Sequence, residues 1–158
     1  MSTKIRPINS MLGAAMALAF TGIALPALAG PPQPVTIVTQ VVFDPSTYGT
    51  FTATGPICPT GIVELVDEYY GIGPAAFNVN ATHRFTCDDN SGSFVIRLHP
   101  QGNSRPREGF DLDGPFSVVG RGTGAYENLS GSGWFGVVFN PDSDPLSATE
   151  TYVGFVNL

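Results

Sequence analysis

Turn-forming residues recur about every ten residues after Gly30, and no stretch repeats its apolar side chains at helical spacing. Short segments of alternating apolar and polar side chains lie between the turns, and residues 77–87 are the clearest of them. Such alternation is typical of antiparallel strands that bury one face. The pattern predicts an all-β protein with strands at residues 35–43, 50–54, 62–66, 77–87, 93–99, 116–119, 134–139 and 148–156.

The arrangement of these strands favours a single antiparallel β-barrel of about eight strands over a two-sheet sandwich. The strands follow one another with few long crossover connections, as expected for a closed or nearly closed barrel. Closure also removes the edges that a sheet rich in Thr and Val would otherwise expose.

The connections are predicted from Gly, Pro, Asp and Asn. Residues 44–49 and 140–145 are expected to be turns, and residues 88–92 a hairpin connection. Asp113-Gly114 is a further hairpin signal. Two longer segments are expected to be loops, namely an irregular loop at 67–74 and an exposed polar loop at 100–108.

The N-terminal segment has the features of a secretory signal peptide. Lys4 and Arg6 precede a nearly continuous apolar or small run at residues 11–25, and Pro26-Ala27-Leu28-Ala29 offers small residues to a signal peptidase. We expect cleavage after Ala29, a proline-rich leader at 30–34, a barrel domain at 35–158, and a secreted or periplasmic location. No later stretch approaches the roughly 20 apolar residues of a spanning helix, so no membrane span is expected.

The charge of the predicted exported part argues against nucleic acid as a partner. The signal segment contains two of the seven basic residues and none of the thirteen acidic ones, which leaves five against thirteen and a net charge of −8. All five remaining basic residues are arginines. Phosphate backbones require a basic footprint, and an acidic surface of this kind repels them.

The chain has two cysteines, Cys58 and Cys87, and both follow the signal segment. An even number of cysteines in an oxidising compartment predicts one disulfide. A metal site is disfavoured, because His83 lies four residues before Cys87 but no Cys or His flanks Cys58.

The stretch from Gly120 to Trp134 holds five glycines around Tyr126 and Leu129. Residues 120–125 match G-x-G-x-x-A, one form of the dinucleotide-binding fingerprint. That fingerprint requires a helix to hold the pyrophosphate, and the glycines and polar residues that follow end any helix within about one turn. We expect a tight turn and one helical turn across Tyr126 and Glu127, capped by Thr123, so no cofactor is predicted.

The segment Gly122-Thr123-Gly124-Ala125-Tyr126, followed by Leu129-Ser130-Gly131-Ser132-Gly133, is similar to a glycine segment of the allene oxide cyclase and dirigent-like barrel families. Gly49-Thr50-Phe51-Thr52, Cys58-Pro59-Thr60-Gly61 and Phe85-Thr86-Cys87-Asp88-Asp89 fit further places of that pattern, so the resemblance covers about residues 49–135. It implies a calycin-like, eight-stranded barrel with a small cavity. It assigns no catalytic residue, because the pocket positions of allene oxide cyclase cannot be matched to this chain one by one.

Five residues are candidates for a ligand pocket, namely Arg97, Tyr126, Trp134, Glu150 and Tyr152. Arg97 alternates with the apolar side chains of its strand, and it would hold an anionic ligand if its own face lined the lumen. A solvated arginine is the alternative. Glu64, Glu127 and Glu150 would serve as acids only if they were buried.

The sequence assigns no catalytic or metal-binding residue. His83 lies on the apolar face of its predicted strand, where a histidine is most often a satisfied core residue, and His99 ends the next strand. No G-x-S-x-G nucleophile elbow is present. The acidic turns around Asp88, Asp111 and Asp142 lack the spacing of calcium loops, and Asp is an ordinary turn former.

The leading expectation is therefore an exported, non-catalytic barrel that binds a small apolar molecule or a surface partner. One alternative is a cyclase- or isomerase-type enzyme with a small barrel cavity. Another is a structural protein associated with calcium or glycans, and Tyr69 and Tyr70 are candidates for a protein or glycan contact. A concave pocket with a buried Glu or Tyr of displaced pKa would favour the enzyme.

Overall fold

The structure is a computed structural model that describes residues 30–44, 46–73, 76–102 and 109–158, without the side chains of residues 69–79 and 101–102. Within these ranges it is all-β and contains no helix, so none is present that could cross a membrane. The strands are β1 (Gln33–Phe43), β2 (Thr47–Thr54), β3 (Thr60–Gly73), β4 (Ala76–Cys87), β5 (Gly92–Leu98), β6 (Gln101–Gly102), β7 (Leu112–Val118), β8 (Thr123–Gly124), β9 (Ser130–Asn140) and β10 (Ser147–Asn157). The predicted signal segment lies outside the described residues.

Eight of the strands close into an antiparallel barrel. Their order around the barrel is β1, β2, β3, β4, β5, β7, β9 and β10, and β10 pairs with β1. The two-residue strands β6 and β8 add short pairings to β4 and β5. The predicted single antiparallel barrel of about eight strands is confirmed.

Alternation along the strands directs the larger apolar side chains into the barrel. In β1, for example, Val35, Ile37 and Val41 are buried. Aromatic rings fill one part of the interior, and the members of this aromatic cluster are Phe51, Phe85, Phe94, Phe116, Tyr126, Phe135 and Tyr152. Its rings pack edge to face or stacked, as with Phe85 and Phe94 at 4.9 Å between centroids.

Glycines facing the interior make room for these rings. A Cβ atom on Gly61 would lie 2.5 Å from Cε1 of Phe51, and one on Gly133 would lie 2.6 Å from Cε1 of Phe116. Neither distance is tolerated in a close-packed interior. The two glycines therefore let large rings lie directly against the backbone of a neighbouring strand.

The predicted disulfide between Cys58 and Cys87 is confirmed. Cys58 lies in the β2–β3 connection and Cys87 is the last residue of β4, with their Cα atoms 5.9 Å apart. Both cysteines are buried in the same core as the aromatic cluster. The bond ties the β2–β3 connection to the end of β4 at this part of the barrel.

Two segments predicted as connections are strands. Residues 67–73, expected to be an irregular loop, complete β3 and pair with residues 76–82 of β4. Asp113-Gly114, expected to start a hairpin, lies inside β7 and pairs with Gly136 and Phe135 of β9. In both places the neighbouring strand supplies backbone partners, and this pairing outweighs the local preference for a turn.

The glycine segment forms a turn with i→i−3 hydrogen bonds and no helix, and the predicted cap by Thr123 is wrong. The backbone N–H of Tyr126 donates to the carbonyl of Thr123 at 3.2 Å, and that of Leu129 donates to the carbonyl of Tyr126 at 3.1 Å. The Thr123 hydroxyl bonds to Ser93 instead of capping a helix. Gly124 has a φ of 60°, in the left-handed region that glycine adopts readily. The segment is thus a corner that leads from β8 into β9.

Parts of the predicted leader and of the predicted loop at 100–108 also pair with neighbouring strands. β1 begins at Gln33, so residues 33 and 34 of the predicted leader pair with β10. In the predicted exposed loop at 100–108, Pro100 is buried and residues 101 and 102 form β6. Residues 103–108 lie outside the described part of the chain.

Candidate functional site

The interior that the aromatic cluster does not fill contains a cavity of about 340 Å³. This volume is at the lower end of the roughly 300–1,000 Å³ of small-molecule sites, and at roughly 30 Å³ per non-hydrogen atom it accommodates about ten such atoms. Its apolar lining is Phe43, Leu65, Ala81, Leu98, Pro100, Leu112, Phe135, Val137, Phe139 and Leu146. Its polar lining is Thr47, Glu68, His83 and Glu150.

Four buried polar side chains form a hydrogen-bond network beside this cavity. Thr39 Oγ1 donates to Glu150 Oε2 at 2.9 Å, and the Tyr152 hydroxyl donates to the same oxygen at 2.7 Å. His83 Nδ1 lies 3.0 Å from the Tyr152 hydroxyl oxygen and 3.4 Å from Glu150 Oε2. Thr39, Tyr152 and His83 all lie close to one carboxylate oxygen of Glu150, a residue that is only 4% exposed.

The network shifts the pKa values of two of its members in opposite directions. Burial by itself raises the pKa of the Glu150 carboxyl, but the charge of His83 and the hydrogen bonds from His83, Tyr152 and Thr39 outweigh burial and leave the pKa below its ordinary value. Burial, the Glu150 charge and the hydrogen bond to Glu150 together raise the pKa of the Tyr152 hydroxyl well above its ordinary value. The native state therefore favours an ionised Glu150 beside a neutral Tyr152.

The hydrogen bonds also determine which nitrogen of His83 carries hydrogen. The Tyr152 hydroxyl donates its hydrogen to Glu150, so its oxygen is an acceptor toward His83 Nδ1. Nδ1 must then be the donor in that contact, and in a neutral imidazole Nε2 is left as an acceptor. The tautomer thus follows from the network.

One nitrogen of His83 and one oxygen of Glu150 take no part in this network. Among the described residues, no group hydrogen-bonds to His83 Nε2 or Glu150 Oε1, and neither atom is among those enclosed without a partner. Both residues line the cavity. His83 and Glu150 therefore add two buried polar residues to a lining that is mostly apolar and that also includes Thr47 and Glu68.

Glu68 lines the cavity because of a β-bulge in β3. Leu65 pairs with His83 and Asp67 pairs with Thr82, so Val66 is the extra residue of the bulge. Beyond it the alternation changes phase, and Glu68 pairs with a cavity residue, Ala81. The bulge thereby adds a second carboxylate to the lining, at a position more exposed than Glu150.

The structure brings together two of the five predicted pocket residues, Glu150 and Tyr152. Arg97 is exposed on the outer face of β5, and Tyr126 is buried in the aromatic cluster, 5.5 Å from the Phe94 ring. Trp134 is half-buried on the outer face of β9 against Phe110. Of the five, only Glu150 lines the cavity, and Tyr152 lies behind it as its hydrogen-bond donor.

Sequence reasoning missed Thr39 and Glu68, and it placed His83 inside without assigning it a site. Thr39 was detectable, because it lies midway between the buried Ile37 and Val41 and shares their face. The position of Glu68 was not detectable from the sequence, since it depends on the bulge. Of the three glutamates considered as acids, Glu64 and Glu127 are exposed and Glu150 is buried.

The acidic turns and the tyrosine pair do not assemble a site in the described residues. No group of three His, Cys, Asp or Glu side chains there is arranged to hold a metal ion. Asp89 accepts from the backbone N–H of Ser91, and Asp111 accepts from that of Phe139, so both stabilise local backbone. Tyr69 and Tyr70 belong to β3, and their side chains are not among those that the structure describes.

A second depression of about 440 Å³ lies on the outer surface over β2 and β3. Tyr48, Ile62, Glu64 and Arg84 contribute to its lining, and all four are exposed. It is larger than the barrel cavity, but none of its polar residues is buried. The barrel cavity, with its buried polar network, is therefore the stronger candidate for a ligand site.

No family model, curated protein or solved structure matches this chain.

Proposed function

We propose that this protein binds one small, largely apolar molecule inside the barrel. The observation that carries the proposal is a cavity with mostly apolar walls whose lining includes two buried residues, His83 and Glu150, each with one polar atom outside the hydrogen-bond network. The walls would supply affinity by burying apolar surface, and the polar pair would orient the ligand.

Filling the cavity tests this proposal. Ala81 lines the cavity, so Ala81→Leu occupies ligand space and is expected to weaken the binding of nonan-1-ol by about tenfold or more. Isothermal titration calorimetry measures the affinity. Ala125→Leu makes the same change at an exposed turn and should leave binding unchanged. Absence of nonan-1-ol binding to the wild type, or equal binding by the two variants, would contradict the proposal.

The proposed place of action is outside the cytoplasm, after cleavage at Ala29. The Cys58–Cys87 disulfide is consistent with an oxidising compartment, and the N-terminal sequence has the pattern of a signal peptide. The intact mass of the exported protein tests this directly, because a chain that begins at Gly30 is expected. An exported chain that retains Lys4 and Arg6 would contradict it.

A cyclase- or isomerase-type activity is the second candidate, in line with the resemblance to allene oxide cyclase barrels. The closed barrel with a small cavity supports it, and so does the tautomer of His83, because a neutral imidazole with hydrogen on Nδ1 would present Nε2 as a base. Nε2 would take a proton from one carbon of the ligand and return it to another, which requires no cofactor.

The isomerisation of cyclohex-3-en-1-one to its conjugated isomer tests the second candidate by absorbance. His83→Gln is expected to abolish the rate above background, and Glu127→Gln, at an exposed turn, should retain it. If the wild type binds nonan-1-ol but does not accelerate this conversion, the isomerase candidate is rejected and only the binding function stands.

A further inference from the structure

We infer that the barrel cavity selects ligands by charge, taking a polar end that donates hydrogen bonds and carries no negative charge. A medium-chain alcohol or amine satisfies this requirement, whereas the carboxylate of the same chain length does not. The inference rests on the proposed ligand binding and adds the chemical class of the ligand.

The first observation is the hydrogen-bonding character of the two atoms outside the network. Glu150 Oε1 is an acceptor, and Nε2 of a neutral His83 is an acceptor as well, because Nδ1 holds the hydrogen in its contact with Tyr152. Two acceptors are satisfied by a ligand donor such as a hydroxyl or an ammonium group. They offer no donor to a carboxylate.

A protonated His83 still accommodates an alcohol, whereas an ammonium group, which has no acceptor, fits only the neutral imidazole. In the protonated form Nε2 becomes a donor, and an alcohol can accept from Nε2 while it donates to Glu150 Oε1. The positive charge of His83 is already balanced by the Glu150 carboxylate, since His83 Nδ1 lies 3.4 Å from Glu150 Oε2. The pair therefore has no net positive charge to offer an anion.

The second observation is the set of charges around the cavity. Glu150 and Glu68 both line it, and no described lining residue is a Lys or Arg. Arg84, Arg97 and Arg121 are all exposed and do not contribute to the lining. A carboxylate entering the cavity would lose its hydration beside a buried like charge, which is costly on both counts.

Three probes of equal chain length test the selection in the wild-type protein at neutral pH, namely nonan-1-ol, nonylamine and nonanoate. We expect nonan-1-ol and nonylamine to bind, and nonanoate to bind more weakly by roughly tenfold or more, because it meets the Glu150 charge at short range. Isothermal titration calorimetry measures the three affinities. Nonanoate binding as tight as that of nonan-1-ol would overturn the inference.

Two variants with the same change in net charge separate the local effect of Glu150 from that of the acidic protein as a whole. Glu150→Gln is expected to bring the ratio of the nonan-1-ol affinity to the nonanoate affinity closer to one, because it removes the buried charge. Glu127→Gln removes an exposed charge that does not line the cavity and should leave the ratio unchanged. An equal effect of the two variants would overturn the assignment to Glu150.

The outcomes distinguish this inference from the proposed function. If none of the three probes binds to the wild type, ligand binding itself fails. If nonanoate binds as well as the others, only the charge selection fails. The wild-type comparison alone decides between these outcomes should Glu150→Gln not fold.

Discussion

Glu150 combines deep burial with two hydrogen bonds and one close contact to His83 on a single oxygen. Thr39, Tyr152 and His83 hold that oxygen in a site where an unpaired carboxylate would be protonated, since burial disfavours the charged form. Its pKa nevertheless lies below the ordinary value, so the native state favours the ionised carboxylate more than the unfolded chain does. The stability of the protein is therefore linked to pH through this residue.

The contribution of Glu150 to stability should be complete above its ordinary pKa of 4.5 and should be lost as the pH falls through the lower native pKa. At neutral pH, Glu150→Gln is expected to lower the free energy of unfolding by about 3 kcal/mol, because it removes the charged acceptor of buried hydrogen bonds. The difference from the wild type should shrink on acidification. Urea denaturation from about pH 7 to about pH 3 measures it, with Glu127→Gln as the exposed control. A difference independent of pH would contradict the linkage.

At the scale of the strands, two backbone features set side-chain positions that the local sequence pattern does not predict. The bulge at Val66 changes the phase of β3 and turns Glu68 toward the cavity. The inward glycines of β3 and β9 leave space for the rings of Phe51 and Phe116. The bulge contributes to the candidate site, and the glycines allow the aromatic part of the barrel to pack closely.

Gly133→Ala tests the packing of β9. The new Cβ would lie 2.6 Å from Cε1 of Phe116 and against the carbonyl oxygen of Val153, so either the ring or the strand must move. We expect the free energy of unfolding to fall by about 1–3 kcal/mol, measured by urea denaturation. Gly120→Ala is the matched control, because its Cβ would meet nothing within 4 Å. Equal stability of the two variants would show that the ring contact does not constrain position 133.

At the scale of the whole molecule, closure depends on the pairing of β1 with β10, the first and last strands. Such contacts are distant in the chain, and forming them costs loop-closure entropy. The disulfide restricts the unfolded chain between positions 58 and 87, a separation of 29 residues. It therefore lowers the entropic cost of forming the β2–β3–β4 part of the barrel.

Removal of the disulfide should accordingly destabilise the barrel without changing its architecture. The Cys58→Ser, Cys87→Ser variant is expected to unfold with a free energy lower by about 3 kcal/mol, according to the chain-entropy relation. Urea denaturation measures the change, and circular dichroism checks that the β structure is retained. Wild-type protein in reductant should behave like the variant. Unchanged stability in both would show that the bond contributes nothing to folding.

The sequence by itself determined the all-β class, the eight principal strands and the single disulfide, because alternation, turn residues and cysteine number are local properties. It also placed His83 on an inner face. The tertiary structure alone decided that residues 67–73 are paired, that Asp113-Gly114 lies inside a strand, and that Glu68 lines the cavity with Glu150. The physical reason is that a side chain's face is set by strand register, and register depends on hydrogen bonds to residues far away in the chain. The convergence of Thr39, His83, Glu150 and Tyr152 arises in the same way, from strands that meet only when the barrel closes.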